Sequence, residues 1–221
     1  MIEAEDITYT YKKTRQVQAL RGVSLRIESG SFVSVVGRSG LGKSTLLHCL
    51  SGLLTPDSGA VRYDGRDVCA MKDRELSAFR NANIGFVFQN FYLEPNFNLL
   101  ENVMLPLLVR RMRVGQAKAR AMQTLEKFGI EDRAYHFPAE MSGGECQRAA
   151  IARALAGDPA YIFADEPTGN LDRQNGGLIV RTLHELKEKF GKTVIMITHN
   201  EADTEGCDAV YVMEDGKISV R

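Results

Sequence analysis

A glycine-rich loop, Gly37-Arg38-Ser39-Gly40-Leu41-Gly42-Lys43-Ser44-Thr45, follows the apolar run Phe32 to Val36 and precedes the apolar stretch that begins at Leu46. Few arrangements constrain a fold as tightly. The spacing G-x-x-x-x-G-K-S between a strand and a helix is a phosphate cradle: the glycines let backbone N–H groups converge on an anion with no Cβ in the way. A helix starting near Gly42 points its positive dipole end at the same spot. Lys43 then faces the β- and γ-phosphates of a nucleotide, and the Ser44 hydroxyl is a ligand for Mg²⁺. An ordinary glycine-rich turn would need neither the lysine nor the flanking strand and helix.

The rest of the chain alternates. Residues 2–11 and 19–28 read as strands, separated by the polar stretch Lys12 to Gln16. Thr55 to Gly59 ends the first helix, Asp64-Gly65 turns a hairpin, Asp73–Phe79 reads as a short helix, and Ile84–Phe88 as a buried strand. From Gln89 to about Pro159 the strand signals stop, and helical patterns fill Leu99–Val109, Val114–Phe128 and Gly143–Ala156. Strands return at 160–164, 193–197 and 209–213. An amphipathic helix, Asn175–Phe190, carries Leu178, Ile179, Leu183 and Leu186 on its apolar face, and Glu214 to Lys217 turns a last hairpin. The expectation is one α/β unit over residues 1–221 with a mostly parallel sheet: a nucleotide-binding core from 1–88 and 160–221, bearing an N-terminal antiparallel β-subdomain, and an inserted helical subdomain at 89–159.

Composition narrows the function. Lys+Arg and Asp+Glu each total 28, so no global basic bias points to nucleic acid. No run reaches the ~18 apolar residues that span a bilayer, and the acidic start Met1 to Asp6 does not read as a signal peptide. Four scattered cysteines without a C-x-x-C pair read as reduced thiols.

Two further stretches carry chemistry. Tyr161 to Pro167 is a buried strand ending in Asp165 and Glu166, at the strand end where open α/β sheets bind ligands. Asp165 is suited to hold Mg²⁺ and Glu166 to polarise an attacking water. Alone, the pair would read as two carboxylates capping a strand. Met141 to Arg148 opens a helix, and Ser142 with Glu145 fits a capping box. Gly143 and Gly144 also bare the N–H groups of that helix start, making a second anion site. Two phosphate-binding helix ends about a hundred residues apart suit two copies placed head to tail, each completing the other's site.

In this order the motifs resemble the ATP-binding subunit of an ABC transporter, over the whole chain: residues 37–45, Gln89 after a strand, the signature at 141–145, Asp165-Glu166, Leu171-Asp172 and His199. The resemblance implies a phosphate-loop ATPase core with Mg-ATP as ligand. It gives Tyr11 as the adenine-stacking aromatic, with an exposed strand tyrosine beside Tyr9 as the plainer alternative. Gln89 would contact Mg²⁺ and the water, Asp172 would help bridge two subunits, and His199 would touch the γ-phosphate. Ser142, Gly143, Gly144 and Glu145 would bind the partner copy's nucleotide. Gly169 to Asp172, Ile84 to Gln89 and Leu99 to Leu107 are similar to the macrolide-exporter and lipoprotein-release group. In that group the ATPase works with a separate membrane permease from the cytoplasmic face of the membrane.

Departures from the usual pattern are Met141, Glu145, Cys146, Arg38 and Leu41; the last two should not matter, because the loop works through its backbone. The expected permease dock is Gln89–Arg111, which is apolar but broken by Pro95, Pro106 and Asn residues, Asn102 among them, and so a poor self-contained core element. Arg110 to Arg113 reads as a solvated face, with lipid headgroups or a partner as the alternative. The export, mechanical and cell-wall-regulating members of the group stay open, as does a soluble ABC ATPase, since the missing permease chooses the substrate.

Overall fold

A computed structural model describes residues 1–12 and 16–221. Lys13 to Arg15, most of the expected polar spacer, lie outside the described residues. The elements run β1 (Ile2–Tyr11), β2 (Val17–Ile27), β3 (Phe32–Val36), α1 (Lys43–Leu50), β4 (Ser58–Tyr63), β5 (Arg66–Asp67), α2 (Asp73–Asn83), β6 (Ile84–Phe88), α3 (Leu99–Val109), α4 (Val114–Lys127), α5 (Gly143–Leu155), β7 (Tyr161–Asp165), α6 (Arg173–Phe190), β8 (Thr193–Thr198), β9 (Ala209–Glu214) and β10 (Lys217–Val220).

Two sheets form. The first, β2-β1-β4-β5, is antiparallel; the second runs β10-β9-β3-β8-β7-β6, parallel except for β10. This is the mixed α/β architecture expected. Register decides where the chemistry emerges. Phe88 pairs with Asp165, Asp165 with Ile197, and Val36 with Thr198. Parallel strands share one carboxyl end, so the residues that follow β3, β6, β7 and β8 leave the sheet along one edge.

The parallel strands are buried on both faces, so they read as continuous apolar runs. Their side chains still alternate. Phe163, Ile195 and Ile197 face α1 and the antiparallel sheet, packing with Leu46, Leu50, Ile2 and Leu20. Ile162, Ala164, Val194 and Met196 face the other way, onto Ile151 of α5 and Ile179, Leu183 and Leu186 of α6. The expected apolar face of α6 needs one correction: Leu178 is 37% exposed. The buried stripe follows 179, 183 and 186, and Leu178 lies one step round the helix, beyond the contact.

Residues of α3, α4 and α5 make a core of their own: Leu99, Leu100, Val103 and Leu107 pack on Ala117, Ala121, Leu125, Ala149 and Ala152. Small alanines let these helices approach closely. The expectation that Gln89–Arg111 is a poor core element is therefore wrong for its second half. Asn102, read as an interruption, is fully buried and bonds the carbonyls of Glu94, Phe97 and Asn98 through its amide while accepting from Glu94 N–H. It pins the preceding loop to the helix. Arg110 is not part of a solvated face either. Its guanidinium bonds Asn81 Oδ1 at 3.2 Å and the carbonyls of Asn81 and Gly157. That anchors α3 to the core, and burial lowers the Arg110 pKa. Helix α2 runs four residues past Phe79, tied by Arg80 to the Gly52 carbonyl at 2.7 Å; tertiary contact extends it where the sequence pattern fades.

Candidate nucleotide site

The loop after β3 is held by close approach. A Cβ on Gly37 would stand 2.5 Å from the Met213 carbonyl oxygen, and one on Gly42 2.4 Å from that of Ala19. Gly40 and Gly42 also sit at φ +81° and +100°, a region that L side chains avoid. At the start of α1, Lys43 is 4% exposed and curls back, donating from Nζ to the carbonyls of Gly37 (2.8 Å) and Arg38 (2.9 Å). Burial lowers its pKa, opposed by the charges of Glu166 and Asp165. The ammonium thus rests under the loop on two neutral carbonyls.

Across the edge, Ser44 Oγ donates to Asp165 Oδ1 at 3.1 Å. Burial pushes the Asp165 carboxyl up, and the Ser44 bond pulls the other way. Glu166 Oε2 stands 3.1 Å from His199 Nδ1. Glu166 also has φ +46°, a left-handed backbone that costs a non-glycine residue roughly 1–2 kcal/mol. The turn is held by its N–H on the Ile197 carbonyl (2.9 Å) and by Gly169 N–H on its own carbonyl (3.0 Å). Gln89 reaches the same edge from β6, where its Nε2 donates to Asn170 Oδ1 at 3.3 Å and its carbonyl accepts from Asn170 Nδ2 at 3.1 Å. Tyr11 lies at the rim, 42% exposed, with its hydroxyl 3.2 Å from Thr45 Oγ1.

A cleft of about 580 Å³ collects Tyr11, Ser39, Gly40, Gly42, Lys43, Ser44, Thr45, Gln89, Asp165 and Glu166. His199 is not among its lining residues but touches Glu166, which is. Ser142, Gly143, Gly144, Glu145 and Asp172 lie outside it. They form a second group. The Ser142–Glu145 capping box is present, and Arg133 Nε donates to Glu145 Oε1 at 2.8 Å. The Ser142 N–H, then Arg133, hold the Glu145 carboxyl down at about 2. Asp172 caps α6 by accepting Asn175 N–H at 2.8 Å, which keeps its carboxyl below the usual range. A Cβ on Gly144 would meet Asn175 Oδ1 at 2.7 Å, so the two helix starts abut. Cys146, a departure at sequence level, is buried with Sγ 3.6 Å from the Pro138 carbonyl.

Several residues of this region carry no sequence signal. Asp203, 8% exposed, accepts Thr168 Oγ1 at 2.7 Å, Thr198 Oγ1 at 3.1 Å and Asn200 Nδ2 at 2.8 Å. It thereby ties the turn after Glu166 to the strand end before His199. Gln147 donates to the Pro167 carbonyl at 2.8 Å, linking α5 to the same turn. Arg153 bonds the carbonyls of Phe91 and Tyr92, both with positive φ. A single Asp in a polar stretch, and a Gln or Arg inside a helix, look like solvated positions until the tertiary fold is known.

A glycine loop between strand and helix, a curled-back lysine and a carboxylate pair on the adjoining strand edge define a phosphate-loop nucleotide triphosphatase. A family profile described as ABC transporter matches residues 20–169. This chain belongs to that family and is an ATP-hydrolysing cassette of it. It is 46% identical over 218 residues to the lipoprotein-releasing system ATP-binding protein LolD of Bacteroides fragilis (strain YCH46), spanning 99% of this chain and 100% of that protein. It is 48% identical to the macrolide export ATP-binding/permease protein MacB of Chlorobaculum tepidum, spanning 99% of this chain and 33% of that one. Among solved structures, a bacterial ABC transporter cassette determined as a dimer superposes with a TM-score of 0.91, at 40% identity, over 99% of this chain and 97% of the other. The same cassette in a post-hydrolysis state bound to ADP and Pi gives a TM-score of 0.91 at 39% identity.

Proposed function

We propose that two copies of this chain close over two Mg-ATP molecules and drive a separate membrane permease of the lipoprotein-release and macrolide-export group. The observation that carries the reading is the division of the site. The cleft at the phosphate loop holds the residues for one face of a nucleotide, while Ser142 to Glu145 open a second anion-binding helix end outside it. A second copy placed head to tail supplies the missing face, and the relative solved as a dimer supports this arrangement.

In this reading the loop N–H groups and Lys43 hold the β- and γ-phosphates, and Tyr11 supports the adenine. The loop holds the phosphates through its backbone, and Arg38 and Leu41 are not among the residues that line the cleft, so those two departures leave binding intact. The hydroxyl of Ser44, the carboxylate of Asp165 and the amide oxygen of Gln89 are hard oxygen donors that fit Mg²⁺. Bound there, the ion supplies charge neutralisation for the phosphates. Glu166 accepts a proton from the attacking water, and His199 orients Glu166 and the γ-phosphate. Asp172 holds the loop that meets the partner copy. Residues 1–88 with 160–221 act as the nucleotide core and 89–159 as the signature unit. The permease docks near Gln89–Arg111, where Tyr92 is 63% exposed, and holds the chain at the cytoplasmic face of the membrane.

Glu166→Gln tests this. With ATP the variant should accumulate as a dimer by light scattering and turn over at least about a hundredfold more slowly. Wild-type turnover in the variant would remove Glu166 from the role of base, and turnover that is unchanged on dilution to a proven monomer would remove the shared site.

A further inference from the structure

A second cavity, of about 610 Å³, opens between α4, α5 and α6 and shares no lining residue with the nucleotide cleft. Its size falls within the about 300–1,000 Å³ typical of small-molecule sites. The wall is apolar where the helices meet: Phe128, Leu155 and Leu186 line it, and Leu178 and Phe190 stand 37% and 52% exposed beside it. Leu178 is the residue that falls off the buried stripe of α6, and this cavity is what it faces.

The rim is basic. Lys192 pairs with Asp158 at 2.6 Å and Lys189 with Glu185 at 3.2 Å, which consumes both acidic groups that line the cavity. Arg120, Lys127 and Arg148 line it too, and among the described residues none of them has a carboxylate within 4.0 Å. Lys192, then the charges of Arg120 and Lys127, hold the Asp158 carboxyl below its usual range, so the cations converge on one point of the rim. An apolar wall with three cations above it that form no ion pair among the described residues, Arg120 Nε donating only to the Ala156 carbonyl at 3.0 Å, complements one chemistry: an apolar body carrying an acidic head.

We propose that this cavity is a binding site for a small anionic amphiphile, an acyl or aromatic body with a single phosphate, sulfonate or carboxylate head. The ligand touches α4 and α5 on one side and α6 on the other, so it bridges the signature unit and the core at a place remote from the nucleotide.

Decyl phosphate, kept below its micellar concentration, is the probe, titrated calorimetrically into the whole chain. One molecule per chain should bind. Inorganic phosphate, which has the head alone, and decyl maltoside, which has the body with an uncharged head, should each bind at least about tenfold more weakly. Lys127→Glu and Phe190→Ser change exposed side chains, and each should weaken decyl phosphate about tenfold while thermal unfolding stays put. Equal binding of decyl maltoside, indifference to both substitutions, or displacement of decyl phosphate by ATP would overturn the site. So would capture of an acidic amphipathic peptide with no binding of decyl phosphate. The wild-type comparison of the three probes keeps the test decisive even if a variant fails to fold.

Discussion

Asp203→Ala removes a carboxylate that does not line the nucleotide cleft yet joins the two loops that present Glu166 and His199. Three donors lose their acceptor: Thr168 Oγ1, Thr198 Oγ1 and Asn200 Nδ2. Bonds to a charged group are worth about 1.5–3 kcal/mol each. Relief of the buried charge offsets much of that, and the threonine hydroxyls can rotate to other acceptors. A net loss of about 3 kcal/mol follows, or a Tm lower by roughly 6–12 °C in a chain of this size. The catalytic effect comes from geometry. The Glu166–His199 contact is 3.1 Å across the two loops that Asp203 joins, and a displacement of about 1 Å costs on the order of a hundredfold in rate. Steady-state ATPase assays on the dimer should show kcat reduced by about that factor with KM unchanged, because Tyr11, Lys43 and Ser44 lie outside the network. Asp203→Asn keeps an acceptor for the threonines and should recover most of the stability and part of kcat. A kcat within twofold of wild type in Asp203→Ala, or a loss appearing in KM and not in kcat, would refute the reasoning.

Other perturbations test other parts of the molecule. Gly144→Ala drives a methyl to within 2.7 Å of Asn175 Oδ1 and should lower ATPase activity while leaving nucleotide binding to the isolated chain, read by equilibrium dialysis, unchanged. Phe163→Ala empties a fully buried site between the two sheets and should cost about 3–5 kcal/mol in urea unfolding. Glu145→Ala removes a cap worth about 1 kcal/mol, and its cost depends on pH in a definite sense. The folded carboxyl titrates at about 2, below its ordinary 4.5, so its stabilisation is present above 4.5 and is lost as pH falls towards 2. Unfolding curves of wild type and variant should therefore converge between those limits, and a constant gap down to pH 2 would contradict the assignment.

The phosphate loop, the carboxylate strand end and the signature were legible because each is local. Loop, strand and helix are consecutive in the chain, and phosphate recognition by backbone N–H groups leaves a glycine pattern. The parallel sheet was legible from alternation, though not its order, since nothing in the sequence says that β3 lies between β8 and β9. What escaped was polar and tertiary. Asn102 and Arg110 look like breakers or solvent-facing residues, and become interior ties only once the carbonyls of Glu94, Asn81 and Gly157 are brought to them. Asp203 escaped for the same reason: its three donors come from two strand ends. Leu178 misled because apolar identity predicts a face only to within one helical step.

The close approach at Gly37 and Gly42 has a consequence for biosynthesis. The phosphate loop is wedged between carbonyls of Ala19 and Met213, one from β2, made before it, and one from β9, made long after it. β3 itself is flanked by β8 and β9. A nascent chain that has emerged only through α5 displays the whole G-x-x-x-x-G-K-S sequence but lacks the wall against which the loop is shaped. ATP capture thus has to await the synthesis of β9, and a ribosome-bound fragment halted before β9 should retain no nucleotide on a filter.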